Sequence, residues 1–203
     1  MSIINSATRN RLHIGSGIVL ATFIVLHFSN HALGLISVET MEAAHHAFSA
    51  IWRSWPGTIL LYGALLTHFI LALDALNRRH SLRMPAGEAV KIIFGLSLPF
   101  LLVFHVVGTR VAFALTGHEK TYPEIVYALW TSPTLRTLQT TALIIAWTHG
   151  CLGLWYWLRG RLWYERFAPF FHMGAILIPV LALLGFYVTA QDVIDWDPAP
   201  APE

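Results

Sequence analysis

Long apolar blocks alternate with short polar segments along the chain. Five blocks cover approximately residues 14–37, 57–76, 90–115, 138–158 and 170–189. Each is about 20 residues long or slightly longer, enough at ~1.5 Å per residue to cross ~30 Å of hydrocarbon. Because lipid cannot hydrogen-bond open backbone groups, the blocks are predicted to be helices. The pattern predicts an all-α membrane protein, a bundle of five transmembrane helices.

The composition supports a membrane location and excludes several kinds of site. Hydrophobic residues make up 56% of the 203 residues and charged residues only 12%, against about 25% charged in soluble domains. The net charge of +2 gives no reason to expect a nucleic-acid partner. A single cysteine, Cys151, excludes an intrachain disulfide and a Cys-ligated iron–sulfur cluster. No C-x-x-C-H motif occurs, so any haem would be held non-covalently.

Basic residues predict the orientation of the bundle, because cytoplasmic loops are enriched in Lys and Arg. Nine lie on the side of the N-terminus and four on the opposite side, which predicts a cytoplasmic N-terminus and an outer C-terminus. The nine are Arg9, Arg11, Arg78, Arg79, Arg83, Lys91, Arg159, Arg161 and Arg166, and the four are Arg53, Arg110, Lys120 and Arg136.

The segments outside the five blocks carry weaker signals. In the first outer loop, apolar and aromatic side chains recur at helical spacing between Met41 and Trp55, which predicts a short interfacial helix. The second outer loop could hold another short helix around residues 124–130. Residues 1–190 are predicted to form the membrane domain, and residues 191–203 a Pro/Ala-rich tail or outer loop.

Four histidines lie well inside the first four apolar blocks: His27, His68, His105 and His149. A polar side chain at that depth is costly in lipid and is by default a functional candidate. Counted from the cytoplasmic flank, His27 and His105 lie 16 and 14 residues deep, and His68 and His149 lie 9 and 10 residues deep. The depths predict two histidine pairs, offset by about 8–9 Å.

Two pairs of neutral imidazoles at two depths are typical of bis-histidine haem ligation, and they predict two haem b groups. A single intramembrane histidine is as often a hydrogen-bonded residue of the bundle, but four on four helices favour ligands. His31, one turn from His27, is an alternative ligand or a partner of a haem propionate or quinone. Arg110 is a candidate propionate partner, and a snorkelling interfacial arginine is an equal alternative.

Several stretches resemble known membrane proteins. Residues 16–17 leading to His27, and residues 148–154 around His149, look like segments of the dihaem cytochrome b anchor subunit of succinate dehydrogenase and fumarate reductase. That resemblance implies that the first four helices each supply one ligand. The first would pair with the third and the second with the fourth, matching His27 with His105 and His68 with His149.

A resemblance covering most of the chain is to the N-terminal membrane domain of bacterial class III adenylate cyclases. It rests on residues 30–35, 56–65, 83–85, 105–110 and 179–186. It implies a bacterial inner membrane location and an attached cyclase that dimerises. Such a domain has six membrane helices, so a sixth is expected beyond Glu203.

These observations favour a haem-b membrane anchor that senses redox state, linked to quinone, and regulates an attached adenylate cyclase. The alternative is an electron-transfer anchor subunit of a succinate dehydrogenase or fumarate reductase-type oxidoreductase. A transporter using the same histidines is a third hypothesis. No nucleotide-binding, nucleophile-elbow or zinc-protease motif occurs, so the chain alone is not expected to be catalytic.

Overall fold

The computed structural model describes residues 5–194, and within them the chain is folded into helices. They are α1 (Ser6–Ala32), α2 (Val38–Trp52), α3 (Trp55–Asn77), α4 (Ala86–Val106), α5 (Ala112–Thr116), α6 (Tyr122–Thr131), α7 (Pro133–Leu158) and α8 (Tyr164–Val193). A 3-10 turn, Leu33–Leu35, follows α1, and a π-helical turn, Val107–Val111, joins α4 to α5. The tail predicted over residues 191–203 lies mostly outside the described residues, and α8 continues to Val193.

The helix starts are encoded by short polar side chains that satisfy free backbone N–H groups. Ser37 accepts from the Thr40 amide at 3.1 Å, and Ser54 accepts from the Gly57 amide at 3.1 Å. Thr121 and Glu124 form a reciprocal capping box at the start of α6. These caps separate α2 and α6 from the long helices on either side.

Four helical segments are long and apolar enough to cross a membrane: Ser6–Leu35, Trp55–Asn77, Ala86–Thr116 and Tyr164–Val193. This supports a multi-pass membrane protein. The fifth predicted span lies in α7, which has sufficient length at 26 residues but is not among the four. Its polar side chains, which include Gln139, Thr148 and His149, lower its hydropathy. Helices α2 and α6 form at the two sites where the outer loops predicted short helices.

The long helices pack as two pairs with a cleft between them. Helix α1 packs against α3, and α4 packs against α7, whereas neither α1 nor α3 packs extensively against α4 within residues 5–194. Consistent with this opening, no residue of α4 is fully buried. The cleft between the α1–α3 pair and the α4–α7 pair is the feature that positions the site.

Helix α8 closes one side of the bundle through close backbone contact with the end of α1. A Cβ at Gly185 would overlap the carbonyl of His31, and a Cβ at Gly34 would overlap Thr189. Small residues allow such an approach between helices in a membrane. Beside this contact, Met41 of α2 and Val126 of α6 are fully buried against α8, which caps that end of the bundle.

Candidate functional site

The structure brings the four mid-helix histidines together as two pairs that bridge the cleft. The ring centroids of His27 on α1 and His105 on α4 lie 5.9 Å apart, with the ring planes at 65°. Those of His68 on α3 and His149 on α7 lie 6.2 Å apart, with the planes at 90°. All four are half-buried. The partners are those expected from depth.

The two pairs lie at clearly different heights. His68 packs against Gly17, ten residues before His27 on α1, and His149 packs against Gly95, ten residues before His105 on α4. Ten residues of helix correspond to about 15 Å. The expected offset of 8–9 Å is therefore too small. It was counted from the flanking residues Arg11, Lys91, Asn77 and Arg159, whose own heights in the bundle the sequence does not give.

His149 is held by one turn of α4. Its Nδ1 lies 2.8 Å from the carbonyl oxygen of Lys91, and its ring fills the space left by the missing side chain of Gly95, one turn further on. A Cβ at Gly95 would lie 2.6 Å from His149 Cε1. The carbonyl fixes the orientation of the ring, and the glycine lets the ring approach the helix.

His68 is held in the same way by α1. Its Nδ1 lies 3.3 Å from the carbonyl oxygen of His13 and 3.4 Å from Ser16 Oγ. Gly17, one turn after His13, faces the ring, and a Cβ there would lie 3.2 Å from Cε1. A carbonyl followed four residues later by a glycine thus grips each imidazole of this pair.

These contacts determine which nitrogen is available as a ligand. A carbonyl oxygen only accepts hydrogen bonds, so Nδ1 of His149 and of His68 must carry the proton. In a neutral imidazole the other nitrogen, Nε2, then presents its lone pair. Donation from the second ring nitrogen to a backbone carbonyl is also how metal-ligating histidines are usually oriented.

The second pair, His27 and His105, has aromatic and polar neighbours. The ring of Phe23 stacks on His27 with centroids 5.5 Å apart, and His31 lies 4.5 Å from His27. Gln139 of α7 is a side-chain hydrogen-bond partner of His105. His31 Nδ1 is buried without a hydrogen-bond partner in the described part of the chain. The geometry pairs His27 with His105 and places His31 beside that pair.

Arg110 lies in the π-helical turn that follows His105. Its Nη2 donates to Thr58 Oγ1 of α3 at 2.8 Å, while Nη1 is buried and has no partner within residues 5–194. Single π-helical turns inside α-helices are frequent at functional sites. The turn places a guanidinium group with spare donors one turn beyond the pair.

A polar cluster lies around Arg53, which the sequence indicated only as a weaker candidate than Arg110 for a propionate partner. Arg53 Nη1 lies 2.5 Å from Glu119 Oε1, and the Arg53 guanidinium lies over the Phe113 ring at 5.2 Å. Trp52 Nε1 and the Tyr122 hydroxyl are buried without partners among the described residues. The sequence did not indicate the rest of the cluster, because Glu119, in the loop before α6, and Tyr122, the first residue of α6, lie far from α2 along the chain.

The donor set fits haem better than a bare metal ion. No three His, Cys, Asp or Glu side chains converge on a common point within residues 5–194, so a site made only of protein ligands is not present there. Two metal–imidazole bonds of about 2 Å, with about 1 Å from each nitrogen to its ring centre, place ring centroids about 6 Å apart. Both pairs have about this separation, which is compatible with two imidazoles that share one haem iron.

Glycines of the long helices could let a flat macrocycle approach the backbone, and this stays a prediction. Gly17 and Gly95 face imidazole rings. A Cβ at Gly15, Gly63, Gly108, Gly150 or Gly153 would meet nothing within 4 Å in the described structure.

Comparison with known proteins does not assign the chain to a family. No family model matches the sequence, and neither the curated proteins nor the solved structures include a significant match. The histidine geometry and the membrane-type helices are therefore the basis for a functional assignment.

Proposed function

We propose that the chain is a membrane-embedded domain that binds two haem b groups and carries or senses electrons. The observation that carries this proposal is the presence of two histidine pairs across one cleft, each with a centroid separation suited to a shared metal ion. Five helices, α1, α3, α4, α7 and α8, cross the bilayer in this proposal, and α2 lies at its surface.

The polar residues of α7 are compatible with a fifth span. His149 faces His68, Trp147 Nε1 donates to the carbonyl of Ala175 at 2.8 Å, and Gln139 interacts with His105. Polar side chains in membrane helices usually face the bundle interior. Their cost in lipid is thus avoided without moving α7 out of the membrane.

Each residue of the site has a definite task in this proposal. His27 and His105 ligate one haem, and His68 and His149 ligate the other. Haem b supplies a one-electron redox couple when it is bound. Arg110, with a buried and unpartnered Nη1, is the partner for a propionate of the haem held by His27 and His105.

The output proposed for this domain follows the resemblance to bacterial adenylate cyclases. Quinol or another membrane donor would reduce the haems in the inner membrane, and the changed charge in a low-dielectric bundle would shift the conformation that an attached, dimeric cyclase reads. The alternative is an anchor subunit that passes electrons between a dehydrogenase and quinone. Co-purification with flavin and iron–sulfur subunits would favour the alternative.

The test is the haem content and visible spectrum of the purified chain after expression with ample haem. We expect two non-covalent haems per chain and a reduced-minus-oxidised spectrum typical of six-coordinate b-type cytochrome. Replacing His105 or His149 with alanine should remove one haem each, whereas the loop variant His80→Ala should retain both. A colourless protein that is folded by circular dichroism would overturn the proposal.

A further inference from the structure

An apolar groove lies on the outside of the bundle, away from the histidine cleft. It has a volume of about 490 Å³ and is lined by α1, α7, α8 and the loop between α7 and α8. At the other end of α1, the contact between His31 and Gly185 holds α1 against α8. The bulky side chains of Trp157, Trp163 and Phe171 line the groove, and such side chains prevent an equally close approach there.

The chemistry of the groove suits a hydrocarbon chain. Thr22 is the one hydroxyl-bearing residue in its lining, and its hydroxyl donates to the carbonyl of Ile18 at 2.9 Å. The other lining side chains are aliphatic or aromatic. Trp157 and Trp163 line the groove close to the end of α7 and the start of α8, and tryptophan near helix termini commonly meets lipid headgroups.

Two arginines without acidic partners flank the same end. Arg11 lies seven residues before Ile18 and therefore on the same face of α1. Arg161 lies in the loop between Leu158 and Trp163, which both line the groove. Both arginines are exposed, and neither makes an ion pair within residues 5–194.

Three other arginines at this end of the bundle have acidic partners. Arg9 and Arg78 both pair with Asp74, at 3.8 and 2.9 Å, and Arg79 pairs with Glu88. Near the groove, the first turn of α8 has one carboxylate, Glu165, and two arginines, Arg161 and Arg166, lie close to it along the chain. Arg11 and Arg161 are thus arginines of this end that have no carboxylate partner in the described part of the chain and also flank the apolar groove.

We propose that this groove is a binding site for an anionic phospholipid of the leaflet on the side of the α7–α8 loop. An acyl chain occupies the groove, and the phosphate-bearing headgroup interacts with Arg11 and Arg161. Basic groups next to a gap between membrane helices recognise anionic headgroups in this way. The site depends on membrane insertion and not on haem, so the two proposals can fail independently.

The test is native mass spectrometry of the full chain in detergent, titrated with phosphatidylglycerol or phosphatidylcholine. We expect tighter binding of phosphatidylglycerol. The double variant Arg11→Gln/Arg161→Gln should weaken that binding by about fivefold per arginine and leave phosphatidylcholine unchanged. Arg83→Gln, which equals either single substitution in charge and lies at the same end of the bundle, should have no effect.

A second variant tests the groove itself. Ala21→Phe fills it and should reduce retention of both lipids, whereas Ala114→Phe at an exposed position of α5 should not. Equal affinity of the wild-type chain for both lipids, or an equal loss in Arg83→Gln, would overturn the proposal. So would an Ala21→Phe variant that keeps its lipid but loses a co-purifying quinone or a second copy of the chain.

Discussion

The carbonyl of Lys91 accepts a 2.8 Å hydrogen bond from His149 Nδ1, and Gly95, one turn later on α4, leaves room for the ring. Because a Cβ at Gly95 would lie 2.6 Å from His149 Cε1, Gly95→Ala must displace either the ring or the helix. We expect this variant to lose the haem held by His68 and His149 and to keep the other, which would halve the haem-to-protein ratio.

The equivalent glycine on α1 provides a graded comparison. At Gly17 the new Cβ would lie 3.2 Å from His68 Cε1, so Gly17→Ala requires a smaller adjustment and should lower haem occupancy less than Gly95→Ala. Gly63→Ala is the control, because a Cβ there would meet nothing within 4 Å. Equal haem content in all three variants would show that the glycines do not position the imidazoles.

The helices and the histidine pairs were predictable because both depend on the positions of residues along the chain. Apolar length determines where membrane helices form, and the position of a histidine within its block determines its depth. Four of the five predicted blocks fall within helical segments of the structure, and the first, residues 14–37, extends two residues past the segment that ends at Leu35. Helix α7 differs from the four candidate spans in its larger number of polar residues, which the pattern of apolar blocks does not take into account.

The carbonyl and glycine contacts that hold the imidazoles were not predictable, because they depend on how neighbouring helices are rotated. Nothing in the sequence connects Lys91 with His149 or His13 with His68, which lie 58 and 55 residues apart. The glycines at positions 17 and 95 are compatible with a close approach, but the sequence does not identify the group that approaches them. The rotation of α1 and α4 directs them at the rings.

The assignment of His27 as the axial ligand can be tested against its neighbour His31. The His27 ring lies 5.9 Å from His105, and His31 packs against His27 at 4.5 Å and Tyr122 at 5.6 Å. We expect His27→Ala to lose one haem. His31→Ala should keep both haems and alter the midpoint potential of one, since it removes a polar neighbour rather than a ligand.

Haem content and redox titration of the two variants show whether His27 or His31 is the ligand. His118→Ala serves as the control, because His118 contacts Glu124 in an exposed loop. Loss of a haem in His31→Ala together with full occupancy in His27→Ala would show that His31 is the ligand and that the assignment of His27 is wrong.

Arg110 should raise the midpoint potential of the haem held by His27 and His105. A nearby positive charge stabilises the reduced form, because reduction adds an electron in a low-dielectric region. We expect Arg110→Gln to lower that potential by on the order of tens of millivolts, where 59 mV corresponds to a tenfold change for one electron. The potential of the other haem should change much less, because its histidine pair lies about 15 Å further along the bundle.

The measurement is a spectroscopic redox titration with Arg136→Gln as the matched control. Arg136 lies at the same end of the bundle, stacks over the Trp130 ring at 4.7 Å and donates to the Trp130 carbonyl. Its loss removes an equal charge without touching the π-helical turn. A shift in Arg136→Gln as large as that in Arg110→Gln would assign the effect to net charge alone.

The packing of α2 should weaken on acidification because of His45. This side chain is 8% exposed and lies 3.3 Å from Ser49 Oγ and 3.9 Å from Glu119 Oε1. Burial lowers the pKa of His45 below its ordinary value of 6.5, an effect to which Arg53 also contributes. The unfolded chain then binds this proton more readily than the folded chain, so stability falls as the pH drops through about 6.5.

Glu42, a neighbouring group on α2, titrates in the opposite sense. Burial raises the pKa of Glu42 above 4.5, so its protonation on acidification favours the folded state.

The contributions of His45 and Glu42 are separated by His45→Gln, which should abolish the acid-induced loosening of α2. His46→Gln is the control, because His46 is an exposed neighbour. Hydrogen exchange of the α2 amides at about pH 7.5 and about pH 5.5 measures the effect. Because intrinsic amide exchange is slower at the lower pH, the expected result is a fall in the protection factors of the α2 amides at the lower pH in wild type and His46→Gln, but not in His45→Gln. Persistence of the acid sensitivity in His45→Gln would place the responsible proton on another group.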